Sequence, residues 1–301
     1  MNLASKKAIQ NLLKKYQVRP SKRLGQNFLI DKRVITKLIG AVNLKPKDII
    51  LEIGPGIGNL TRELAKKVKK VIAVEKDQKM VEILKETLKD YENVEIIKGD
   101  ILKLDPRTYN LKPKIYKVVG NLPFYLTAPV IRKFLEAVKV KHRASACGGE
   151  GKDEDKVLIA PRQMTLVVQK EVGQRICART PDMSILAVSV QFYAKPEIIG
   201  YISKKSFWPS PKVDSAILQI APLISTDRKL INADLFFKIV KAGFSQPRKQ
   251  LINNLSKGLK FNRERVKDWL LKNNIQLNQR AETLTIENWI SLTKNFYFMV
   301  K

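Results

Sequence analysis

Between residues 46 and 135 short apolar runs alternate with longer stretches whose apolar residues recur every three or four positions. "DIILEIG" (48–54) and "KVIAVE" (70–75) are apolar throughout and rich in β-branched residues, which predicts buried strands. "NLTRELAKKV" (59–68), with Leu60, Leu64 and Val68 on one face, predicts a helix between them. "DQKMVEILKETLKDY" (77–91) repeats the pattern with Met80, Ile83, Leu84 and Leu88, and Asp77 is placed to cap it. Strands follow at "VEIIKGD" (94–100) and "YKVVGN" (116–121), then a helix at "APVIRKFLEAV" (128–138) with proline near its start. This order predicts an α/β fold: a mostly parallel sheet with helices on both faces.

The pattern breaks at "KHRASACGGEGKDEDK" (141–156), which has no apolar period and reads as a flexible surface loop, bounded at about 141–161. "MTLVVQKEVGQRI" resumes as strand and helix. "MSILAVSVQFYA" (183–194), "EIIGYIS" (197–203) and "SAILQIAPL" (215–223) are expected to be further strands. After about residue 224 four segments repeat apolar residues at helical spacing: "ADLFFKIVKAGF", "KQLINNLSKGL", "RERVKDWLLKNN" and "TIENWISLTKNF". The expectation is a sheet domain over 1–224 and a small helical domain over 225–301.

Charge narrows the partners. The 301 residues carry 57 Lys and Arg against 28 Asp and Glu, a formal charge of +29, which favours a polyanion, nucleic acid or an anionic membrane surface. Basic residues concentrate at both ends, ten against one acid in the first 40 residues and fifteen against six in 225–301. With only Cys147 and Cys177 there is no disulfide framework. With His142 as the only histidine, a Ser-His-Asp triad is excluded and no metal site is expected. No apolar run is long enough to span a bilayer and the N-terminus lacks a signal peptide's apolar core, so the expected compartment is the cytoplasm.

The candidate chemistry lies at the strand ends. "LEIGPGIG" (51–58) puts Gly54, Gly56 and Gly58 in the turn from strand to helix, where a ligand can approach the backbone. Asn59 stands where a dinucleotide fingerprint has its third glycine. The acid Glu52 precedes the turn. Glu75 ends the next strand, placed to accept from ribose hydroxyls, and Asp100 ends the third, placed to accept from an adenine amine. At the end of the fourth strand, "NLPF" offers the Asn121 side-chain oxygen and the Leu122 carbonyl as acceptors, a turn stiffened by Pro123, and the Phe124 ring as a stacking face. Together these describe a pocket for an extruded base whose amine is the nucleophile. The plainer alternative is an Asn-capped turn with a core phenylalanine.

"RLGQNFLID" (23–31), "LEIGPGIGNLT", "VEKD" (74–77), "GD" (99–100), "GNLPFYLTAPVI", "VQKEV" (168–172), "FWPSPKVDS" (207–215) and "RAETLT" (280–285) occur in the order seen in the ribosomal RNA adenine N6,N6-dimethyltransferases, the KsgA-like family, which the chain resembles over nearly its whole length. The resemblance implies a class I S-adenosylmethionine-dependent methyltransferase fold, Rossmann-like, with a small all-helical C-terminal domain that binds RNA. It implies methyl transfer to two adjacent adenosines in the 3′-terminal hairpin of small-subunit (16S) rRNA, in ribosome biogenesis, with rRNA and the immature small subunit as partners, no membrane, and a monomer. It further implies that Asn27 and Leu29 enclose the methionine end of the donor, with Gly54 and Gly56 beneath it. Glu75 and Asp100 take the ribose and adenine, and Asn121 lies between methyl and target amine. Phe207 would cover the flipped base opposite Phe124. The chain departs from the family pattern at Phe124 and Tyr125, where Tyr and Asn are frequent, and at Ser210.

A weakly nucleophilic amine needs hydrogen-bond acceptors that draw its nitrogen toward tetrahedral geometry, and no strong base, which suits a chain with one histidine. Three rivals stay open on sequence alone. They are a 23S-type (Erm) adenine methyltransferase, a nicotinamide dehydrogenase disfavoured by Asn59, and a non-catalytic RNA-binding assembly factor on the same fold.

Overall fold

The computed structural model describes residues 3, 5–21, 23–136, 160–223 and 231–300. Most of the loop expected at 141–161, with Cys147 and His142, and the boundary expected at 224–225 fall outside the described residues. The chain forms two compact units. One holds the described residues up to 136 together with 160–173 and Pro196–Pro222; the other holds Gln174–Lys195 and the described part of Leu223–Lys301.

The first unit begins with α1 (Lys6–Lys15), β1 (Phe28–Leu29) and α2 (Lys32–Val42). Then come β2 (Ile49–Ile53), α3 (Asn59–Ala65), β3 (Lys70–Glu75), α4 (Gln78–Thr87), β4 (Val94–Lys98), β5 (Tyr116–Asn121) and α5 (Thr127–Glu136). From β2 to α5 each end lies within four residues of its sequence expectation, and the Asp77 side chain does cap α4, accepting from the Lys79 N–H at 2.9 Å. β6 (Gln163–Gln169) runs into α6 (Lys170–Ile176). α7 (Ile185–Tyr193), β7 (Ala194–Ile202), β8 (Phe207–Trp208) and β9 (Ser215–Pro222) follow.

Seven strands form one sheet in the order β4-β3-β2-β5-β6-β9-β7. β4 through β6 pair in parallel and β9 runs antiparallel to β6, so the sheet is mixed. The chain builds outward from β2 through β3 to β4, then returns to place β5 on the other side of β2. A crevice opens where the connections diverge, at the carboxyl ends of β2 and β5. Gly120 lets these strands meet: a Cβ there would lie 2.9 Å from Leu122 Cδ2 and 3.0 Å from the Ile53 carbonyl oxygen.

α2 is held at its far end by the sheet itself. Lys117, at the start of β5, is 4% exposed and its ammonium donates to Asp48 Oδ2 at 2.8 Å and to the carbonyls of Val42 and Asn43. Gln163 and Gln219 donate their side-chain amides to the Ala41 carbonyl at 3.1 and 2.7 Å. The last carbonyls of a helix have no intrahelical partner, and here three side chains from the sheet supply the donors.

α1 was not expected as an element. Its Ile9, Leu12 and Leu13 bury against Phe28, Ile57, Met80 and Ile83, leaving its lysines outside. A second departure is "MSILAVSVQFYA", expected as a strand and found as α7. Ser184 caps it, accepting from the Ala187 N–H at 3.1 Å. A helix that is apolar on most of its faces shows no broad polar stripe to reveal its period, and its Ile and Val residues imitate a strand. Within the second unit Phe192 of α7 stacks on Phe236 with centroids 4.1 Å apart. Phe236 belongs to α8 (Ala233–Gly243), followed by α9 (Leu251–Leu259), α10 (Arg263–Lys272) and α11 (Ile286–Lys294), the four helices expected after residue 224.

Replacing Lys117 by Met leaves Asp48 buried without its cation and removes the ammonium's bonds to the Val42 and Asn43 carbonyls. Losing one partner of a buried pair costs about 3–5 kcal/mol, and this loss is expected in urea unfolding of the full chain. A loss below about 1 kcal/mol, the range of an exposed pair, would show that α2 does not depend on this contact.

Candidate functional site

The crevice is walled by strand ends and roofed by residues 24–29. The roof is tied down at four points. Gln26 Nε2 donates to Asp77 Oδ2 at 2.9 Å. Asn121 Nδ2 donates to the Asn27 carbonyl at 2.8 Å, and Asn59 Nδ2 to the Leu29 carbonyl at 2.7 Å. Gly25, at φ +63°, lies against the Pro123 ring, where a Cβ would come within 2.9 Å. Beyond the roof, β1 pairs antiparallel with β8, Phe28 opposite Trp208 and Leu29 opposite Phe207. Asp31 then caps α2 through the Arg33 N–H at 2.9 Å.

Of the residues expected at the site, Asn27, Leu29, Gly54, Gly56, Glu75, Asp100 and Asn121 all line this crevice. The structure sorts the turn glycines by task. A Cβ on Gly56 would press on the Phe28 ring at 3.1 Å and one on Gly58 on Leu84 at 3.2 Å, so both serve packing. A Cβ on Gly54 would meet nothing within 4 Å, because that direction is the open floor of the crevice. Leu122 is buried beneath the turn and Phe124 is half-buried beside it, neither in the crevice wall; Tyr125, 53% exposed, takes a place there instead.

Phe207, expected to cover a flipped base, is 4% exposed and is not among the residues that line the crevice; it belongs to the buried cluster that includes Leu29, Val119, Val167 and Ile217.

Glu75 is held by three backbone donors, the N–H groups of Lys76 and Asp77 on Oε1 and of Gly56 on Oε2, at 2.8 to 3.1 Å. A carboxylate offers about four acceptor positions, so one faces the crevice free for a hydroxyl. Burial raises its pKa and these three N–H groups act against that rise. Asp100 accepts from Lys76 Nζ at 2.9 Å and from the Leu102 N–H at 3.0 Å. The Lys76 hydrogen bond holds its carboxyl below the usual range. For Asn121, its amide nitrogen is committed to a carbonyl, which can only accept. Its Oδ1 is therefore presented as the free acceptor.

Glu52, also in the wall, is 1% exposed. Desolvation pushes its pKa up to about 8; the Thr61 hydroxyl opposes the rise and the charge of Glu75 adds to it. Lys76, Asn59, Gln26 and Tyr125 went unrecognised as site residues from sequence. Asn59 was visible only as a missing glycine, and the tasks of Gln26 and Lys76 depend on partners 51 and 24 residues away.

A profile of the family described as "Ribosomal RNA adenine dimethylase" matches residues 17–297. The "Ribosomal RNA small subunit methyltransferase A" of Dehalococcoides mccartyi (strain CBDB1) is 39% identical over 283 residues, covering 94% of this chain and 90% of that protein. Among solved structures, a dimethyladenosine transferase from Plasmodium falciparum aligns with TM-score 0.69 at 26% identity, over 90% of this chain and 97% of that one. The 23S rRNA methyltransferase ErmE aligns with TM-score 0.68 at 24% identity, over 91% and 100%, a likeness of fold.

Since the unfolded chain ionises Glu52 near its ordinary value of about 4.5, the folded protein binds more protons between there and about pH 8. Stability from this group is full below about pH 4.5 and is lost as pH rises through about 8. Glu52→Gln removes that loss, so its melting temperature relative to the parent is expected to climb from pH 5 to pH 8. A difference that stays constant across that window would contradict the assignment.

Proposed function

The chain belongs to the ribosomal RNA adenine dimethylase family, and from that membership and the crevice we infer that it methylates the N6 amines of two adjacent adenosines in the 3′-terminal hairpin of small-subunit rRNA, during ribosome biogenesis. The observation that carries the reading is the free Asn121 Oδ1 at the mouth of a crevice whose wall holds Glu75 and Asp100. The donor fits the groups present. Gly54 leaves the floor open, Glu75 keeps an acceptor position for a ribose hydroxyl, and Asp100 keeps lone pairs for an adenine amine. S-adenosylmethionine, when bound, supplies an electrophilic methyl on a sulfonium.

The chain's own part is positional. Asn121 Oδ1 and the Leu122 carbonyl accept the two N–H groups of the target amine, which turns its lone pair out of conjugation and toward the methyl. The roof bond from Asn121 to Asn27 fixes the side-chain amide, so the acceptor needs no reorientation when the base arrives. Phe124 offers its face to the base, on the expectation from sequence. The proton leaves after the amine has become cationic, so no histidine is required. The basic excess of the chain, including Arg248, Lys249, Lys257 and Lys260, supplies affinity for phosphates without choosing the base.

Incubation of the protein with S-adenosylmethionine and immature small subunits, followed by mass spectrometry of the RNA, is expected to show dimethyladenosine in small-subunit rRNA. Methylation only of large-subunit RNA would favour the Erm-type reading. Asn121→Ala is expected to lower turnover by about two to three orders of magnitude, as when one preorganised contact to a transition state is lost. Donor affinity should change by less than about tenfold, because Glu75 and Asp100 remain. Near-normal turnover would return "NLPF" to the role of a capped turn.

A further inference from the structure

Among the described glycines, two have a Cβ direction that meets nothing within 4 Å. One is Gly54, where the open direction is the floor of the crevice. The other is Gly40, exposed within α2. A glycine inside a helix weakens it relative to alanine, so the position calls for a reason. In the other helices of the C-terminal region the reason is packing. A Cβ on Gly243 of α8 would strike the Trp289 ring at 2.5 Å, and one on Gly258 of α9 would strike Ala242 at 2.7 Å. Gly40 has no such neighbour. Nor is it needed to end α2, because Asn43 takes the left-handed turn there at φ +51°. Gly54 and Gly40 are alike in clearing backbone for a body that is not part of the chain.

At Gly40 the cleared space is a groove of about 790 Å³ between α2 and α3. It is separate from the crevice, and Asn59 is the one lining residue the two have in common. Its cations are Lys32, Arg62, Lys66 and Lys67, against one acid, Glu63, which Lys66 pairs at 2.6 Å. Arg62 is held in place: its Nε donates to the Tyr91 hydroxyl at 3.4 Å and its guanidinium lies over the Tyr91 ring. A guanidinium fixed in advance loses less freedom when it pairs with a phosphate.

Concavity, positive charge and bare helix backbone together suit a narrow anionic ridge. The apolar floor contributes little. Ile35 and Ile39 are 5% and 8% exposed, too little for an amphipathic helix, whose affinity comes from apolar anchors. A sugar–phosphate strand needs no such floor. It needs cations along its length and room for its ribose against the backbone of α2. On the reading that the substrate is ribosomal RNA, we propose that this groove seats one sugar–phosphate strand of the small-subunit RNA, apart from the adenosine that enters the crevice. Its contribution is register. Contacts to phosphates carry no sequence, but they set where the protein lies on the RNA. The groove turns the general attraction of a +29 chain into one docking orientation.

The test is filter binding of the full-length protein to immature small subunits over a range of potassium chloride concentrations, with S-adenosylmethionine affinity as the control. Gly40→Gln puts a good helix former into the groove. It is expected to raise the melting temperature and to weaken subunit binding by about tenfold at constant salt, with donor affinity unchanged. Stability and binding then move in opposite directions, which a loss of folding cannot produce. Lys32→Gln combined with Lys67→Gln removes two cations at exposed positions and reads the groove even if Gly40→Gln melts below the parent. It is expected to make the log–log salt slope shallower by about 1.4 to 1.8. Parental affinity in a folded Gly40→Gln, or an unchanged slope in the lysine pair, overturns the proposal. Weakened binding to subunits with parental binding to protein-free small-subunit RNA gives the groove to an acidic ribosomal protein and overturns the assignment to RNA. A parent protein that binds neither subunits nor their RNA overturns the RNA reading itself, and this inference with it.

Discussion

The buried Lys117 ammonium is the constraint from which the crevice hangs. It sits at the amino end of β5, opposite the crevice, and gathers Asp48 with the last carbonyls of α2. With Gln163 and Gln219 it fixes where α2 ends. An α-helix rises 1.5 Å per residue and does not stretch, so fixing its end fixes its start. Asp31 caps that start, β1 lies just before it, and Asn27 is held above Asn121. A hydrophobic substitute could fill the volume of the pair but could not supply directed donors to the Val42 and Asn43 carbonyls. Burying a charge costs stability, and what this one contributes in return is register.

Against that frame the polar groups of the crevice fall into two states of readiness. Glu75 is almost saturated by backbone donors and Asp100 is occupied by Lys76, so both are held in place before any ligand arrives. Asn121 is half committed, its nitrogen used by the roof and its oxygen left over. Glu52 Oε2 has no hydrogen-bond partner among the described residues. Such an arrangement separates groups that shape the site from groups that answer to what enters it. The shaping is done mostly by main-chain atoms, which side-chain substitution cannot remove.

Much of this was legible in the sequence because the central sheet is a run of local signals. Buried parallel strands read as apolar runs, their helices as amphipathic ones, and the ligand groups occur where one gives way to the other. Seven of the expected site residues therefore came together. What was not legible depends on partners distant in the chain. β1 and β8 are two residues each, too short to show a period, and they find each other only across about 180 positions. α7 misleads for the opposite reason: with Ser189 and Gln191 as its only polar residues besides the Tyr193 hydroxyl, it lacks the broad polar face that would have marked it as a helix. Lys117 and Asp48 look like surface charges flanking strands until the sheet and α2 close over them.

The charge pattern also divides by distance. The chain carries +29, yet the charged residues lining the crevice, among the described residues, are Glu52, Glu75 and Asp100 with Lys76. A polyanion and a cationic donor thus meet fields of opposite sign on one protein. This is possible because the two fields act over different ranges. Exposed lysines such as Lys6, Lys7 and Lys14 of α1 act through solvent, where salt screens them over about 8–10 Å, and many must combine to hold a phosphate backbone. The crevice acids act at contact, two of them in a wall that excludes water, where one charge outweighs many distant ones. Acidic groups thus gather in the crevice of a protein whose net charge is strongly positive, and neither field cancels the other.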